Sequence, residues 1–453
     1  MLLGSTFAAS LDTVEVGGPY GTPTSTDATA IWWNPAGLAV GSTTLFSLEV
    51  APMWGSVTVD RDEPNGGSQT WSGASAVPYI GVAHSPRRGP TLGLGLSIPY
   101  AKGGLEEERG VGSFHLREST VAAGYLTGVV AWDPHPNIAV GAAISGVGGV
   151  WQSTVDTDTM PDVHSQLLDM GEQSPYTDDD LENPTYAAVT KFEDMKAGAV
   201  TGAVGINAGN DLVTVGLAYH HGVTLDHRGE VHIQFGCPPA EDEIGRFGAE
   251  SKGICNARVV GDAQAVYHLP PRVHFGVAVT PREDLRVEAF GGWVGWSAHD
   301  AFDIRISNVS EKNPGVDPET AESIEGARPK AVDGNNSFFA AIDVKVKPRP
   351  AWTVGGRALF DQASTPDHML SPSNSDFDNL RVSAMTGFEV RDGVELSAGI
   401  TQVVSAPRST DQSAQWVTLD TNNMAEEPYR YPHGNGTYRS NMGRASLNLR
   451  VVR

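Results

Sequence analysis

Leu380-Arg-Val-Ser-Ala-Met-Thr-Gly-Phe-Glu-Val-Arg-Asp-Gly-Val-Glu-Leu-Ser-Ala-Gly-Ile400 contains two strands and the turn between them. Leu380, Val382, Ala384, Thr386 and Phe388 alternate with Arg381, Ser383, Met385 and Gly387, the two-residue period of a pleated strand. Arg391-Asp-Gly393 has the chemistry of a tight turn. Beyond it Val394, Leu396, Ala398 and Ile400 form an apolar row against Glu395, Ser397 and Gly399. One face of the hairpin suits an apolar medium; the other is small, polar or charged.

Outward from this hairpin the pattern recurs. Val213, Val215, Leu217 and Tyr219 alternate with Thr214, Gly216 and Ala218; Val273, Phe275, Val277 and Val279 alternate with His274, Gly276 and Ala278; Ala445, Leu447, Leu449 and Val451 close the chain in the same way. Six breaks are tight, at Ser85–Pro90, Asp133–Asn137, Asn207–Asp211, Thr280–Asp284, Lys347–Pro350 and Arg391–Gly393. Seven longer polar stretches lie around them, at about 60–76, 100–114, 155–194, 229–256, 306–335, 362–378 and 405–436. Six turns and seven loops join fourteen strands. Short turns on one side, long loops on the other and an even strand count predict an all-β fold, a fourteen-stranded antiparallel transmembrane β-barrel of the bacterial outer-membrane type. A soluble β-sandwich also alternates, but at this length it would divide into domains, and no linker, composition shift or internal repeat separates any. Closing one sheet on itself satisfies every backbone group in lipid without a helix.

Composition agrees. The chain of 453 residues carries 31 Lys and Arg against 54 Asp and Glu, a formal charge of −23, which argues against a nucleic-acid partner because phosphate binding needs clustered cations. The longest uncharged apolar run, Ile138–Trp151, has 14 residues and falls short of the roughly 18 to 20 that a spanning helix requires. Residues 1–10, Met1 to Ser10 with Ala8-Ala9, read as the remnant of a secretory signal. In an exported chain Cys237 and Cys255, both in the fourth long stretch, are expected to form a disulfide, worth roughly 3 kcal/mol by chain entropy. A metal site using both thiols and His232 is the competing reading and lacks a fourth ligand at suitable spacing.

The N-terminal segment does not alternate. It reads Gly17-Gly-Pro-Tyr-Gly-Thr22 and then Thr26-Asp-Ala-Thr-Ala-Ile-Trp-Trp-Asn-Pro-Ala-Gly-Leu38. This string resembles the N-terminal hatch of the FadL/TodX (OMPP1) family of outer-membrane transporters for hydrophobic compounds, through Asp27, Ala28, Trp32, Trp33, Asn34, Pro35, Ala36, Gly37 and Leu38. Leu269–Gly276 with Pro281, Leu285, Trp293 and Trp296-Ser297 is similar to a second family region, and Ser364–Pro372 to its late loop. The resemblance implies a hatch, here residues 11–42, plugging a barrel of residues 43–453. It further implies capture of a hydrophobic molecule such as a long-chain fatty acid or hydrocarbon by the outer loops, a pocket above the hatch, and passive lateral release through a gap made by an inward kink of the third strand. In this chain that strand is Thr91–Tyr100, and Pro99 with Gly103 and Gly104 supplies the missing ladder donors and permissive dihedrals for such a kink.

The partners implied are a hydrophobic ligand and outer-membrane lipid and lipopolysaccharide, around a monomer; no cofactor, metal or catalytic residue is expected. Trp32 and Trp33 read either as packing of the plug against the wall or as the floor of the pocket. Arg357, Arg381 and Lys345 fall on the predicted inner face, where they would favour acidic ligands unless paired with neighbouring carboxylates. Other signals are set aside. Gly93-Leu-Gly95 follows no βα pattern; His220, His221, His227 and His232 read as solvated or lumen-facing; Asp156, Asp158, Asp162 and Asp178–Asp180 lack the ordered series of a calcium loop; no Gly-x-Ser-x-Gly marks a hydrolase. An aqueous porin or a surface adhesin is the alternative function.

Overall fold

Strand periodicity builds a ring. The computed structural model describes residues 15–39, 43–61, 67–86, 89–106, 110–157, 187–235, 258–316, 318–415 and 434–453. Within them lie β1 (Thr44–Arg61), β2 (Gly67–His84), β3 (Thr91–Glu106), β4 (Glu118–His135), β5 (Ile138–Thr157) and β6 (Ala188–Gly209). Next come strands in two pieces: β7 (Val213–His220 and Val223–Gln234), β8 (Arg258–Leu269 and Arg272–Arg282), β9 (Leu285–Val294 and Ala301–Ser307) and β10 (Gly326–Ala331 and Ser337–Arg349). The ring is completed by β11 (Trp352–Asp361), β12 (Asn379–Arg391), β13 (Val394–Ser405 with Arg408–Thr410) and β14 (Gly436–Val452). Each strand pairs antiparallel with its neighbour, and β14 returns to β1 from Leu45↔Val452 to Arg61↔Gly436, so the sheet closes into a fourteen-stranded barrel.

All six tight turns join the strand pairs that the sequence assigns to them. At the end opposite these turns the strands run further than alternation alone reveals. Gly67–Ala76, Ala101–Glu106 and Ala188–Asp194 are strand, although they read as loop in the sequence. Above the lipid both faces of the wall meet water, so the outward row need not be apolar and the period fades. Within the lipid zone the outward row is explicit. Leu92, Leu94, Leu96, Leu126, Ile144, Val204, Phe275, Ile342, Val382, Ile400 and Leu447 are all exposed. An apolar belt of this extent on a closed barrel is a lipid-facing surface. Trp132, Trp352 and Phe388 stand exposed near the tight turns, where an interfacial aromatic girdle belongs.

Two irregularities shape the interior. The β2–β3 ladder stops at Ile80↔Leu96 and resumes only at Ser72↔Leu105. Inside this gap β3 slips by one residue against β4, passing from Ser97↔Tyr125 to Tyr100↔Ala123 across Ile98-Pro99. Because strand side chains alternate with period two, a one-residue slip exchanges the faces. Below it Leu92, Leu94 and Leu96 point to lipid; above it Tyr100 is buried, and Lys102 turns inward to bond the Ser375 carbonyl at 2.9 Å. The second irregularity is a line of breaks across four adjacent strands, at His221-Gly222, Pro270-Pro271, residues 295–300 and residues 332–336, joined by the pairs Arg272↔His220, Arg272↔Val294 and Val294↔Ser337. Prolines 270 and 271 remove two consecutive ladder donors and force the interruption in β8.

Candidate functional site in the barrel lumen

The N-terminal segment lies inside the ring, because its hydrogen bonds reach strands all round it. Tyr79 on β2 donates to the Ala28 carbonyl (2.5 Å), Arg286 on β9 to Thr24 Oγ1 (2.6 Å), Arg357 on β11 to the Gly21 carbonyl (3.1 Å) and Arg444 on β14 to the Glu15 carbonyl (2.8 Å). Tyr20 donates to the Ala398 carbonyl on β13 (2.9 Å), and burial pushes its phenol up to about 12. The segment folds as a 3₁₀ turn at Gly18–Tyr20, one helical turn at Ala30–Trp33 and a second 3₁₀ turn at Pro35–Leu38.

Asn34 explains the shape of the Asn-Pro-Ala-Gly-Leu string. It caps the second 3₁₀ turn, its Oδ1 accepting from the Ala36 amide (3.2 Å), and Pro35 starts that turn at a position where a missing N–H costs nothing. Its Nδ2 donates to the Pro23 carbonyl (3.0 Å), to the Ile206 carbonyl (3.1 Å) and to Asn207 Oδ1 (2.9 Å), so one side chain ties the segment to itself and to β6. A Cβ on Gly37 would lie 2.1 Å from the Ser25 carbonyl oxygen, which excludes any larger residue there. Leu38, Ala28 and Ile31 pack with Leu45, Ala83, Val129 and Ala131 of the wall. Asp27 accepts from Thr29 N (2.9 Å) and Oγ1 (2.5 Å) and pairs with Arg450 at 3.2 Å. Burial alone would raise its carboxyl, but Arg450 and the Thr29 donors outweigh it and hold Asp27 below the usual carboxylate range.

The two tryptophans separate. Trp33 is packing: its Nε1 donates to the Val16 carbonyl (2.8 Å) within the segment, and its ring lies between His274 and Phe290. Trp32 instead forms the floor of a narrow cavity whose walls include Tyr100, Tyr125, His220 and Arg272. The Tyr125 ring meets Trp32 edge-on at 5.7 Å and His220 lies 5.1 Å away. The Arg272 guanidinium sits 5.3 Å from the Trp32 ring centre and 5.0 Å from that of Tyr100, whose hydroxyl it contacts at 2.8 Å. Tyr100 reaches this position only because of the slip at Pro99. The cavity therefore adjoins the interrupted β2–β3 ladder, and Pro99, Gly103 and Gly104, all buried, lie within that interruption.

Of the inward charges expected from the sequence, Arg357 bonds Asp343 (2.9 Å), Arg381 bonds Asp361 (3.1 Å) and Lys345 lies 3.7 Å from Asp343. Sequence reasoning did not single out Arg272, Tyr100 or Tyr125; the Pro-Pro pair before Arg272 and the proline before Tyr100 were the available signals. Cys237, Cys255 and residues 1–10 lie outside the described residues.

Residues 12–427 match the family described as outer membrane protein transport protein (OMPP1/FadL/TodX). Among solved structures, a Pseudomonas aeruginosa FadL homologue superimposes with a TM-score of 0.75 at 14% identity, over 100% of this chain and 99% of that one. The CymD monoaromatic hydrocarbon channel gives 0.63 at 11% identity over 98% and 97% of the two chains, and the Ralstonia pickettii toluene transporter TbuX 0.60 at 12% over 98% of each. No curated protein sequence matches the chain.

Proposed function

The chain belongs to the FadL/TodX family of outer-membrane transport proteins, channels for hydrophobic compounds, and on that premise we propose a route and a mechanism for it. A long-chain fatty acid or hydrocarbon enters from the long-loop side, settles over Trp32 in the cavity, and leaves sideways into the membrane through the β2–β3 interruption at Pro99, Gly103 and Gly104. Residues 15–39 act as the hatch that denies a straight aqueous path. The observation that carries this reading is the adjacency of the cavity to the interruption of the β2–β3 ladder, with Tyr100 belonging to both.

The energetics need no coupled source. Apolar ligand area gains about 25 cal/mol per Å² on leaving water, and lipid is as apolar as the pocket, so sideways release costs little. No group in this scheme forms or breaks a covalent bond. The protein works as a monomer set in outer-membrane lipid and lipopolysaccharide. Two measurements test the scheme together: uptake of a fluorescent fatty acid by cells expressing the protein, and conductance in planar bilayers. Uptake with little steady ion current is the expected result. A large steady current without uptake would replace the scheme with an aqueous porin.

A further inference from the structure

The wall carries a further interruption, and the cavity borders it along several residues. The β6–β7 ladder stops at Ala203↔His220 and resumes one residue out of register at Lys196↔Arg228. Across the break the His221 amide donates to the Gly202 carbonyl (2.9 Å), and Thr201 Oγ1 donates to the His221 carbonyl (2.8 Å). Thr201, Gly202, Ala203, His220 and His221 all line the cavity, whereas β3 contributes only Tyr100. Alternation turns Thr201 and Ala203 inward, but Gly202 lies between the outward Val200 and Val204, and His221 is exposed and hydrogen-bonded to the outward Tyr219 (3.1 Å). The edge of the cavity therefore includes residues of the outer surface.

The break is a built feature. Pro270 and Pro271 withhold two ladder donors on β8, and the Pro271 ring is seated between Gly222 and Gly295, where a Cβ on either would stand 3.0 Å from it. Higher on β7, Leu225 and His227 are fully buried and reach across β6 to β5, where a Cβ on Gly149 would stand 2.6 Å from His227 Nε2 and 3.1 Å from Leu225 Cδ1. They close the upper part of the break and leave its lower part, at Thr201 and His221, beside the cavity. Outside, Val200 is 69% exposed and Val204 56%, and Lys196 ends the apolar row, so the break meets lipid near the outer edge of the belt.

From this geometry we infer that the β6–β7 break is a second lateral portal, through which a hydrophobic molecule dissolved in the outer leaflet passes between lipid and the cavity without crossing the long loops. The inference rests on the transport reading above and adds a route to it, so that the cavity stands between two openings in the wall, one at Pro99 and one at Thr201. One ladder row leads from the first to the second through Ser97↔Tyr125, Tyr125↔Val147 and Val147↔Ala199. A compound already in the membrane would have to return to water to use the loop side, at about 25 cal/mol per Å² of apolar area. A portal in the wall spares it that step.

The test narrows the break from the lipid side. Val200→Trp and Thr224→Trp place an indole on either lip; Leu126→Trp, in the same ladder row as Val200 but two strands away in continuous sheet, is the control. Uptake of the fluorescent fatty acid should fall about twofold or more in each lip variant, as when one of two gates that limit passage is narrowed, and stay unchanged in the control. With a diazirine-bearing fatty acid dissolved in the lipid of nanodiscs, photolabelling of Thr201 and Ala203 should fall in the same two variants and not in Leu126→Trp. Folding is checked by heat-modifiable migration; should one lip variant fail to fold, the other carries the test. Unchanged uptake or unchanged labelling in a folded lip variant, or an equal fall in the control, would overturn the inference and leave the transport reading standing. Absence of uptake by the unaltered protein would overturn the transport reading, and this inference with it.

Discussion

The ring holds its N-terminal segment differently on its two sides. From β9 round to β14 and β1 the grip is ionic: Arg444 reaches Glu15 and Glu49, Arg450 reaches Asp27, Arg286 and Glu288 hold Thr24 and Thr22, and Lys345 and Arg357 bond the Tyr20 and Gly21 carbonyls. From β2 round to β8 no ion pair among the described residues holds the segment, and it rests against small wall residues. A Cβ on Gly205 would stand 2.0 Å from Asn34 Oδ1, one on Gly141 would stand 2.4 Å from the Pro35–Ala36 backbone, and one on Gly216 would stand 2.2 Å from the Pro23 carbonyl oxygen. The segment lies directly on wall backbone there, and its polar ties, Asn34 to β6 and Tyr79 to the Ala28 carbonyl, carry no charge. The cavity and the interrupted ladder both fall on this second side. A segment anchored by charge on one side and resting on glycine on the other can yield next to the cavity without leaving the barrel.

The largest effect should come from breaking the ionic side. Arg444→Ala leaves Glu15 and Glu49, each 1% exposed, buried without their cation, a loss of about 3 to 5 kcal/mol for a broken buried pair. Limited proteolysis should cut the N-terminal segment of this variant while the barrel stays intact, and bilayer recordings should show new steady current. If the segment stays protected, the ionic side is not what anchors it.

A milder effect should follow on the smooth side. Asn34→Ala removes the Nδ2 donor that the Pro23 and Ile206 carbonyls and Asn207 Oδ1 share, roughly 1 to 3 kcal/mol. Uptake should fall while the thermal midpoint of the barrel stays close to that of the unaltered protein. Normal uptake by a folded Asn34→Ala variant would show that the smooth side needs no polar tie.

The two sides were not equally legible in the sequence. Strand number, turn side and the Asn-Pro-Ala-Gly-Leu element are local, since alternation, turn residues and a capped turn each span a few neighbours. The inward positions of Arg357 and Arg381 followed from parity, and their Asp343 and Asp361 partners lie on the adjacent strand. Tyr100 and Arg272 were hidden for a different reason. Pro99 and Pro270-Pro271 announce that a ladder must break, but which way the face turns afterwards depends on register with the neighbouring strand. Whether Tyr100 meets lipid or lumen hangs on a single residue of slip. Gly216 was visible as a small residue on the inward row, yet its purpose emerged only when the segment was found lying against the wall.

The smallest effect, and the one that sharpens the comparison most, concerns pH. Asp27 belongs to the ionic side, and Arg450 with the Thr29 donors holds its carboxyl below the usual range against the opposing pull of burial. A carboxyl whose folded pKa is depressed contributes stability that is fully present above its unfolded value, about 3.9, and is lost as pH falls through the lower folded value. The contribution of Asp27 to protection of the N-terminal segment should therefore be level from pH 7 to about pH 5 and weaken only below about pH 4. Other carboxylates of the ionic side titrate in acid as well, so the decisive quantity is the difference between the unaltered protein and Asp27→Asn. That variant should be less protected at neutral pH, and the gap between the two should narrow as acid removes the charge that the substitution has already removed. A gap that is constant with pH would mean that Asp27 holds the segment through its Thr29 hydrogen bonds rather than through its charge, and the ionic side would then rest on Arg444 rather than on two independent pairs.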